Sequence, residues 1–420
     1  MKKIRVGIFG YCRGSHYVDN FLVNGAEVVA VCDKRPERLE LAKKKLGDMV
    51  TCYADFDSFI EHDLDAIFIA NYFHEHAEYI IRCLEKNIHC ITECISNATM
   101  AEGVKLVEAA EKSKAIFMLA ENYPYMLFNQ EMKKIYEGGT LGKIVYAEGE
   151  YNHTGNLYGT TPDAWNNVRM LFDSDKHWRC YLPRTYYLTH SLAPLMYATG
   201  ANPVRVTAMP VYHPQPADCD RASYAGEKAA IITTLNDDNS VFKFTGHASF
   251  GASSNSYRLC GEKGMVENVR GTDGKIMLRY NPWQIPEGQV QDRIYKPEWE
   301  CENAELIKKS GHGGGDYWVA KVFLECIREN KQPPFDVYFS TRMSSVAILS
   351  HRSMLEFGMP YDIPDFRKQE DRDKYRDDYS SPDYDSDGRE PPIACCSHPD
   401  YAPTEKQKEN FLSILNGTRK

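Results

Sequence analysis

Residues 4–16 read IRVGIFGYCRGSH: a short run apolar on both sides, then Gly10 and Gly14 with Cys12 and Arg13 between them. A strand that is apolar throughout, instead of alternating, belongs in a parallel sheet covered on both faces. A glycine turn that carries such a strand into a helix aims backbone N–H groups and the positive end of the helix dipole at an anion. The following HYVDNFLVNG is that helix. Outward from here the pattern repeats: EVVAVCD as a strand and RPERLELAKKKLG as a helix, then LDAIFIAN and HAEYIIRCLEKN. IHCITEC and TMAEGVKLVEAAEKSK follow, with AIFMLAEN as the last strand. Strands and helices alternating at this spacing imply a doubly wound sheet with right-handed crossovers.

Residues 1–122 are therefore expected to form a Rossmann-type α/β domain built on a doubly wound parallel sheet. In its first turn Cys12 stands where the GxGxxG fingerprint has its second glycine, and Ser15 where it has the third, so the glycines alone are a weak signal. Asp33 strengthens it. It ends the second strand about 20 residues past the first glycine, where a carboxylate accepts from the ribose hydroxyls of NAD. Its other reading is a helix cap before RPERLE. An acid there disfavours a 2′-phosphate, a discrimination that Lys34 and Arg35 next to it weaken. Ligands of open α/β sheets sit beyond the carboxyl ends of the strands. The expected cofactor contacts are therefore Gly10, Cys12, Arg13 and Gly14 in the loop, Asp33, and Asn71, Glu93 and Asn122 at later strand ends. His76 is expected to touch the cofactor from its loop.

After Asn122 the character changes. Residues 123–365 are expected to form an α+β domain around an open, mainly antiparallel sheet: PVRVTAMPVY and YRLCGEKGMVENVR read as strands, and TTLNDDNSVFKF as a hairpin about Asp237, Asp238 and Asn239. DYWVAKVFLECIREN and STRMSSVAILSHRSMLEFG read as helices. Residues 366–420 are charged and poor in apolar side chains, and are expected to form an extended tail until EKQKENFLSILNG, which reads as one last helix.

The chain of 420 residues is too long for one core. A net charge of −9 speaks against a nucleic-acid partner. The 13 cysteines are scattered without a CxxC pair, as in a reduced cytosolic protein, and no metal centre is expected. The start MKKIRVGIFG runs straight into a strand without a signal-peptide pattern, and no apolar run is long enough to span a membrane, so the expected location is the cytoplasm.

With this element order, the HAE that follows IAN and the TEC that ends a later strand, residues 2 to 366 or so resemble the Gfo/Idh/MocA oxidoreductases. Members carry Glu-Lys-Pro where this chain has Glu93-Cys94-Ile95, and that lysine commonly assists proton transfer from a substrate hydroxyl. Within the family, the chain is similar to the NAD-dependent glycosidases of glycoside hydrolase family 109, which also lack the lysine. The shared segments are LAENYPY with Glu121 and Asn122, YLTHSLAP with Tyr187 and His190, SGHGGGDYW with His312 and Asp316, and GKIVYAEGEYNH. The resemblance implies NAD, a small-molecule carbohydrate substrate, and a homo-oligomer, dimer or tetramer.

Tyr187 and His190 are three apart and share a face if helical, so both can reach one substrate hydroxyl. A histidine titrating near neutral pH takes a proton as hydride leaves, with the tyrosine as partner donor. Glu93, Tyr187 and His190 are thus the candidate catalytic residues, the pair replacing the absent lysine. Glu93 has a second reading as cap of a helix beginning near Ala98. Tyr158, Trp165, Trp178 and Arg179 fit sugar binding by stacking and hydrogen bonding, or ordinary packing. His312 either meets substrate or shapes the turn before its helix. The expected activity is oxidation of a pyranoside at C3 leading to glycoside cleavage by elimination, addition and reduction. The alternatives are a dehydrogenase that releases a 3-keto sugar, and a non-catalytic nucleotide or sugar sensor.

Overall fold

The computed structural model describes residues 3–155, 157–158, 161–383 and 391–419. The first sheet is parallel and six-stranded. Its strands are β1 (Ile4–Phe9), β2 (Ala26–Cys32), β3 (Thr51–Tyr53), β4 (Ala66–Ile69), β5 (His89–Thr92) and β6 (Phe117–Leu119), in the order β3-β2-β1-β4-β5-β6. Val6, Ile8, Phe68, Ile69 and Ile91 are wholly buried, as continuous apolar strands in a two-sided sheet should be. Each such side chain contributes about 1.5–3 kcal/mol. Tyr17 and Phe21, on the chain that follows the glycine turn, pack on Phe68 with ring centroids 4.5 and 5.8 Å away.

Two features of this half differ from the sequence expectation. The edge strand β3 was not anticipated, since Thr51-Cys52-Tyr53 is too short to carry a periodic signal; it pairs with the carboxyl half of β2. The helix after β5 is Met100–Lys112, and its cap is Thr99, in a reciprocal capping box with Glu102. That leaves Glu93 free of the capping role.

The second sheet has nine strands, β7 (Ile144–Asn152), β8 (Pro203–Tyr212), β9 (Glu227–Asn236), β10 (Val241–Thr245), β11 (Ser254–Gly261), β12 (Gly264–Asn268), β13 (Ile276–Tyr280), β14 (Asp292–Tyr295) and β15 (Tyr361–Asp362). Their order is β14-β13-β12-β11-β7-β10-β9-β8-β15, antiparallel except where β10 runs parallel to β7. The helix Thr189–Thr199 lies against β7. Gly149 permits this contact, because a Cβ there would stand 2.0 Å from the carbonyl oxygen of Ser191. The close approach brings the first turn of that helix, with His190, toward the carboxyl ends of the first sheet. Among the described residues no helix is long and apolar enough to cross a membrane.

The expectation of an extended tail needs correction. The helix Gln369–Tyr375 docks on Met100–Lys112, with Arg372 Nη1 donating to Glu111 Oε2 at 2.8 Å. Asp378 takes both terminal nitrogens of Arg352 at 2.7 and 2.8 Å. The helix Glu405–Leu415 buries Phe411 and Ile414 against Val168 and Phe172. Charge and low hydrophobicity suggested a solvated segment, but these charges meet partners on the body of the protein, and two buried side chains anchor the end. Residues 384–390 of the expected tail lie outside the described residues.

Candidate active site

In the first sheet the strand order reverses between β1 and β4, and the crevice beyond their carboxyl ends is where such sheets bind ligands. Gly10 leaves β1 with φ 89°, and a Cβ there would lie 2.2 Å from the carbonyl oxygen of Ala70, which follows β4. Only a glycine lets the two strand ends approach so closely. Cys12, Arg13 and Gly14 form the short helical turn Tyr11–Gly14 that follows. Asp33 is buried at the end of β2 and accepts from the backbone N–H groups of Tyr11 and Arg35 at 2.8 and 2.9 Å, so it ties the glycine turn to the second helix. Lys34 turns to Asp173 at 3.0 Å and Arg35 to Glu37 at 2.6 Å. Arg38 reaches Asp33 itself at 3.5 Å and donates to the carbonyl of Met170 at 2.6 Å, so all three cations around Asp33 are engaged, which suits a cofactor without a 2′-phosphate.

Among the described residues, the polar atoms buried without a partner in this region include Asn71 Oδ1, Asn122 Oδ1 and His76 Nε2. Each belongs to a residue expected to touch the cofactor. His76 donates from Nδ1 to the carbonyl of Ile95 at 2.7 Å, and burial lowers its pKa, leaving Nε2 a neutral acceptor. Orphaned buried groups call for a ligand or water, and with the glycine cradle and Asp33 they fit a dinucleotide.

Glu93 does not stand alone after β5. Its Oε1 accepts from Arg13 Nε at 2.7 Å, and Arg13 also pairs with Asp316 at 3.2 Å. Asp316 opens the helix Gly315–Glu329 of the second half, and its side chain is 1% exposed. It also accepts from Tyr17 Oη at 3.1 Å, Asn122 Nδ2 at 2.7 Å and His312 Nδ1 at 3.0 Å. Burial alone would raise the Asp316 carboxyl, but His312 and Arg13 outweigh it and hold it well below the usual carboxylate range. One carboxylate thus joins the glycine turn, the end of β6 and the second half of the chain.

On the opposite wall His190 is 5% exposed. Its Nδ1 meets Glu121 Oε1 at 2.8 Å and its Nε2 meets Tyr187 Oη at 3.1 Å. The pair forms as expected, with one difference: Tyr187 precedes the helix, which starts at Thr189, so the two meet across the helix entrance instead of along one helical face. Burial pushes the Tyr187 phenol well above its ordinary pKa, so it stays protonated. Cys94, in the place of the family's lysine, donates from Sγ to Glu121 Oε2 at 3.1 Å. Burial raises the Glu121 carboxyl, but the facing His190 and the hydrogen bonds it receives outweigh this and bring it below the ordinary value. The donor atoms of Cys94, Glu121 and His190 lie within 4.8 Å of one another. The thiol and the imidazole N–H each donate to the carboxylate, so protons satisfy the set. Tyr123 stacks on the imidazole at 4.1 Å, and Tyr151 meets it edge-on at 4.9 Å.

The residues expected to bind substrate divide. Trp178 stacks on Phe73 at 5.2 Å, and Phe73 reaches Tyr187 at 6.0 Å. The Arg179 guanidinium lies 4.3 Å over the Trp178 ring, and Tyr187, Tyr151 and Glu93 are its electrostatic neighbours. His312 approaches Tyr123 at 6.0 Å. Tyr158 does not join them: it is 40% exposed and donates to Asp218 at 3.0 Å, because its loop folds onto the chain around residue 218. Sequence reasoning gave no role to Glu121, Tyr123 or Asp316. All three lie in the segments that carry the family resemblance, but only the fold brings Asp316 against Arg13, and Glu121 against His190.

Residues 4–121 match the family described as oxidoreductase family, NAD-binding Rossmann fold, and residues 227–372 match the glycosyl hydrolase 109 C-terminal domain. A glycosyl hydrolase family 109 protein of Porphyromonas gingivalis is 25% identical over 407 residues, covering 88% of this chain and 85% of its own length. A second, from Bacteroides thetaiotaomicron, has the same identity and coverage. Among solved structures, levoglucosan dehydrogenase in complex with NADH and levoglucosan superposes with a TM-score of 0.71 at 16% identity, over 87% of this chain and all 100% of that one. Myo-inositol 2-dehydrogenase from Lactobacillus plantarum superposes with a TM-score of 0.63 at 18% identity, over 86% of this chain and 100% of that one. The last two likenesses establish the fold.

Proposed function

We propose, from the match of residues 4–121 to the NAD-binding oxidoreductase family and of residues 227–372 to the glycosyl hydrolase 109 C-terminal domain, that the chain oxidises a ring hydroxyl of a glycoside at C3 and cleaves the glycosidic bond. When bound, NAD supplies the hydride acceptor and donor for the ring carbon. Tyr187 Oη, kept protonated by burial, donates to His190 Nε2, so the hydroxyl proton moves by relay: Tyr187 takes it from the substrate as it gives its own proton to Nε2 and hydride departs. The ketone formed at C3 acidifies the C2 proton. Once the first proton has passed to solvent, the same His190–Tyr187 pair takes the C2 proton and the C1 substituent is expelled; water then adds to the enone, and the hydride returns. The cycle has no net redox change, so the cofactor is retained and reused. Glu93, fixed by Arg13, orients the sugar, and Trp178 with Arg179 binds it at the mouth.

The observation that carries this reading is the His190–Tyr187 contact, with a thiol in place of the lysine. A panel of nitrophenyl glycosides given to the purified protein with NAD tests it. Release of nitrophenol without accumulation of reduced nicotinamide supports the glycosidase. Reduced nicotinamide accumulating with a free sugar, and no nitrophenol, overturns it in favour of the dehydrogenase. The outer face of the second sheet leaves Val145, Met209 and Leu235 exposed, which supports a homo-oligomer joined through that face.

A further inference from the structure

We propose that Glu121 is a positioning residue: its carboxylate fixes His190 with the proton on Nδ1, so that Nε2 remains the accepting atom, while Cys94 occupies the other carboxylate oxygen without adding charge. The inference rests on the acid–base role given to His190 above.

Glu121 is fully buried, two residues past β6. Oε1 accepts from His190 Nδ1 and from the backbone N–H of Tyr123, and Oε2 accepts from Cys94. Among the described residues neither lysine nor arginine pairs with it. A carboxylate sealed from water and matched only by neutral donors is costly. A proton arriving at His190 Nε2 turns the neighbouring imidazole into the missing cation, so the pair draws that proton in. An acceptor on Nδ1 also excludes the tautomer that would put hydrogen on Nε2 and block it.

The other titratable groups facing His190 do not compete. Tyr123 stacks on it, Tyr151 and Tyr187 meet its edge, and burial raises all three phenols, Tyr151 to about 12. His247 on the neighbouring wall is driven well below its ordinary pKa by burial and then by Arg184, so it is neutral. The Cys94 thiol is pushed up by burial and then by Glu121 and Glu93, so it stays protonated. Glu121 is the charge His190 faces. A lysine at position 94 would bring an ammonium to the same carboxylate and satisfy it permanently. The thiol donates one hydrogen bond and leaves the charge for the imidazole.

The test uses the full chain with bound NAD, labelled with 15N-histidine, with His190→Asn to assign the resonance. In the wild type the neutral ring is expected to carry its proton on Nδ1. Glu121→Gln keeps a hydrogen-bond acceptor but removes the charge. It is expected to lower the His190 titration midpoint by about one pH unit, a tenfold change in proton affinity. Where a glycoside is turned over, the acid limb of kcat/KM moves down with it and kcat falls, with KM little changed; Glu121→Asp restores most of both. Cys94→Ala removes a donor but keeps the charge, so the midpoint is expected to rise. Shifts of opposite sign from the two variants support the proposal. An unchanged midpoint in Glu121→Gln, a wild-type ring with its proton on Nε2, or a fall in Cys94→Ala overturns it. The resonance reports without substrate, so an inactive protein with the expected shifts counts against the glycosidase reading and not against this one.

Discussion

Asp316 and Glu121 are both buried carboxylates that face an imidazole, and only Asp316 faces a permanent cation as well. Asp316 faces Arg13, a permanent cation, besides donors from Tyr17, Asn122 and His312. Glu121 faces His190, a cation only when protonated. The first keeps its cation at every pH near neutrality, which suits holding parts together. The second is balanced only after a proton arrives, so it can do chemistry. Removing His190 should expose this difference most sharply. His190→Ala is expected to lower kcat on a cleaved glycoside by about 10²–10⁴-fold while bound NAD stays near wild type, and to lower the thermal midpoint because Glu121 is left buried without that donor. Unchanged turnover in that variant would take the acid–base role away from His190.

The complementary loss is at Asp316. Asp316→Ala strands Arg13 with only Glu93 and strips acceptors from Tyr17 and Asn122, so unfolding should become easier by about 2–3 kcal/mol. Cofactor content should fall as well, because the glycine turn loses its tie to the second half. The pH dependence has a definite sign. The Asp316 carboxyl lies well below its ordinary value in the folded protein, so its stabilisation is complete above the unfolded pKa of about 3.9 and is lost as pH falls through the depressed folded value. Denaturant curves of wild type and Asp316→Asn should stay apart from neutral pH down to about 4 and converge in stronger acid.

The two carboxylates were not equally legible in the sequence. The first sheet could be read from its apolar strands because a two-sided parallel sheet imprints a continuous pattern, and Gly10 and Asp33 could be located at the ends of its strands because each position is local to one turn. The Tyr187–His190 pair was legible from spacing, although the helix begins only after Tyr187. Asp316 and Glu121 lie far from their partners along the chain, and nothing in an Asp before an amphipathic helix says that an arginine three hundred residues earlier will meet it. The tail failed for a related reason: Arg372 with Glu111 and Arg352 with Asp378 are contacts between distant residues, and composition records charges without recording their partners. Tyr158 was misplaced because an aromatic residue in a long loop carries no direction of its own.

The finest test compares two tyrosines, one on each carboxylate system. Tyr17 is wholly buried and donates to Asp316, while Tyr187 is held protonated against His190. Each loses one hydroxyl on substitution by phenylalanine, and a hydrogen bond of this kind is worth about 1 kcal/mol, more where a charge is involved. Tyr17→Phe is expected to lower stability by about that amount with kcat and its pH profile unchanged, since Asp316 keeps Arg13, Asn122 and His312. Tyr187→Phe is expected to leave stability near wild type and lower kcat by about tenfold, the rate equivalent of 1.4 kcal/mol. Denaturation and rate measurements on both variants separate the two outcomes. If Tyr17→Phe moved the pH profile, or Tyr187→Phe cost only stability, the division between a holding carboxylate and a working one would be drawn in the wrong place.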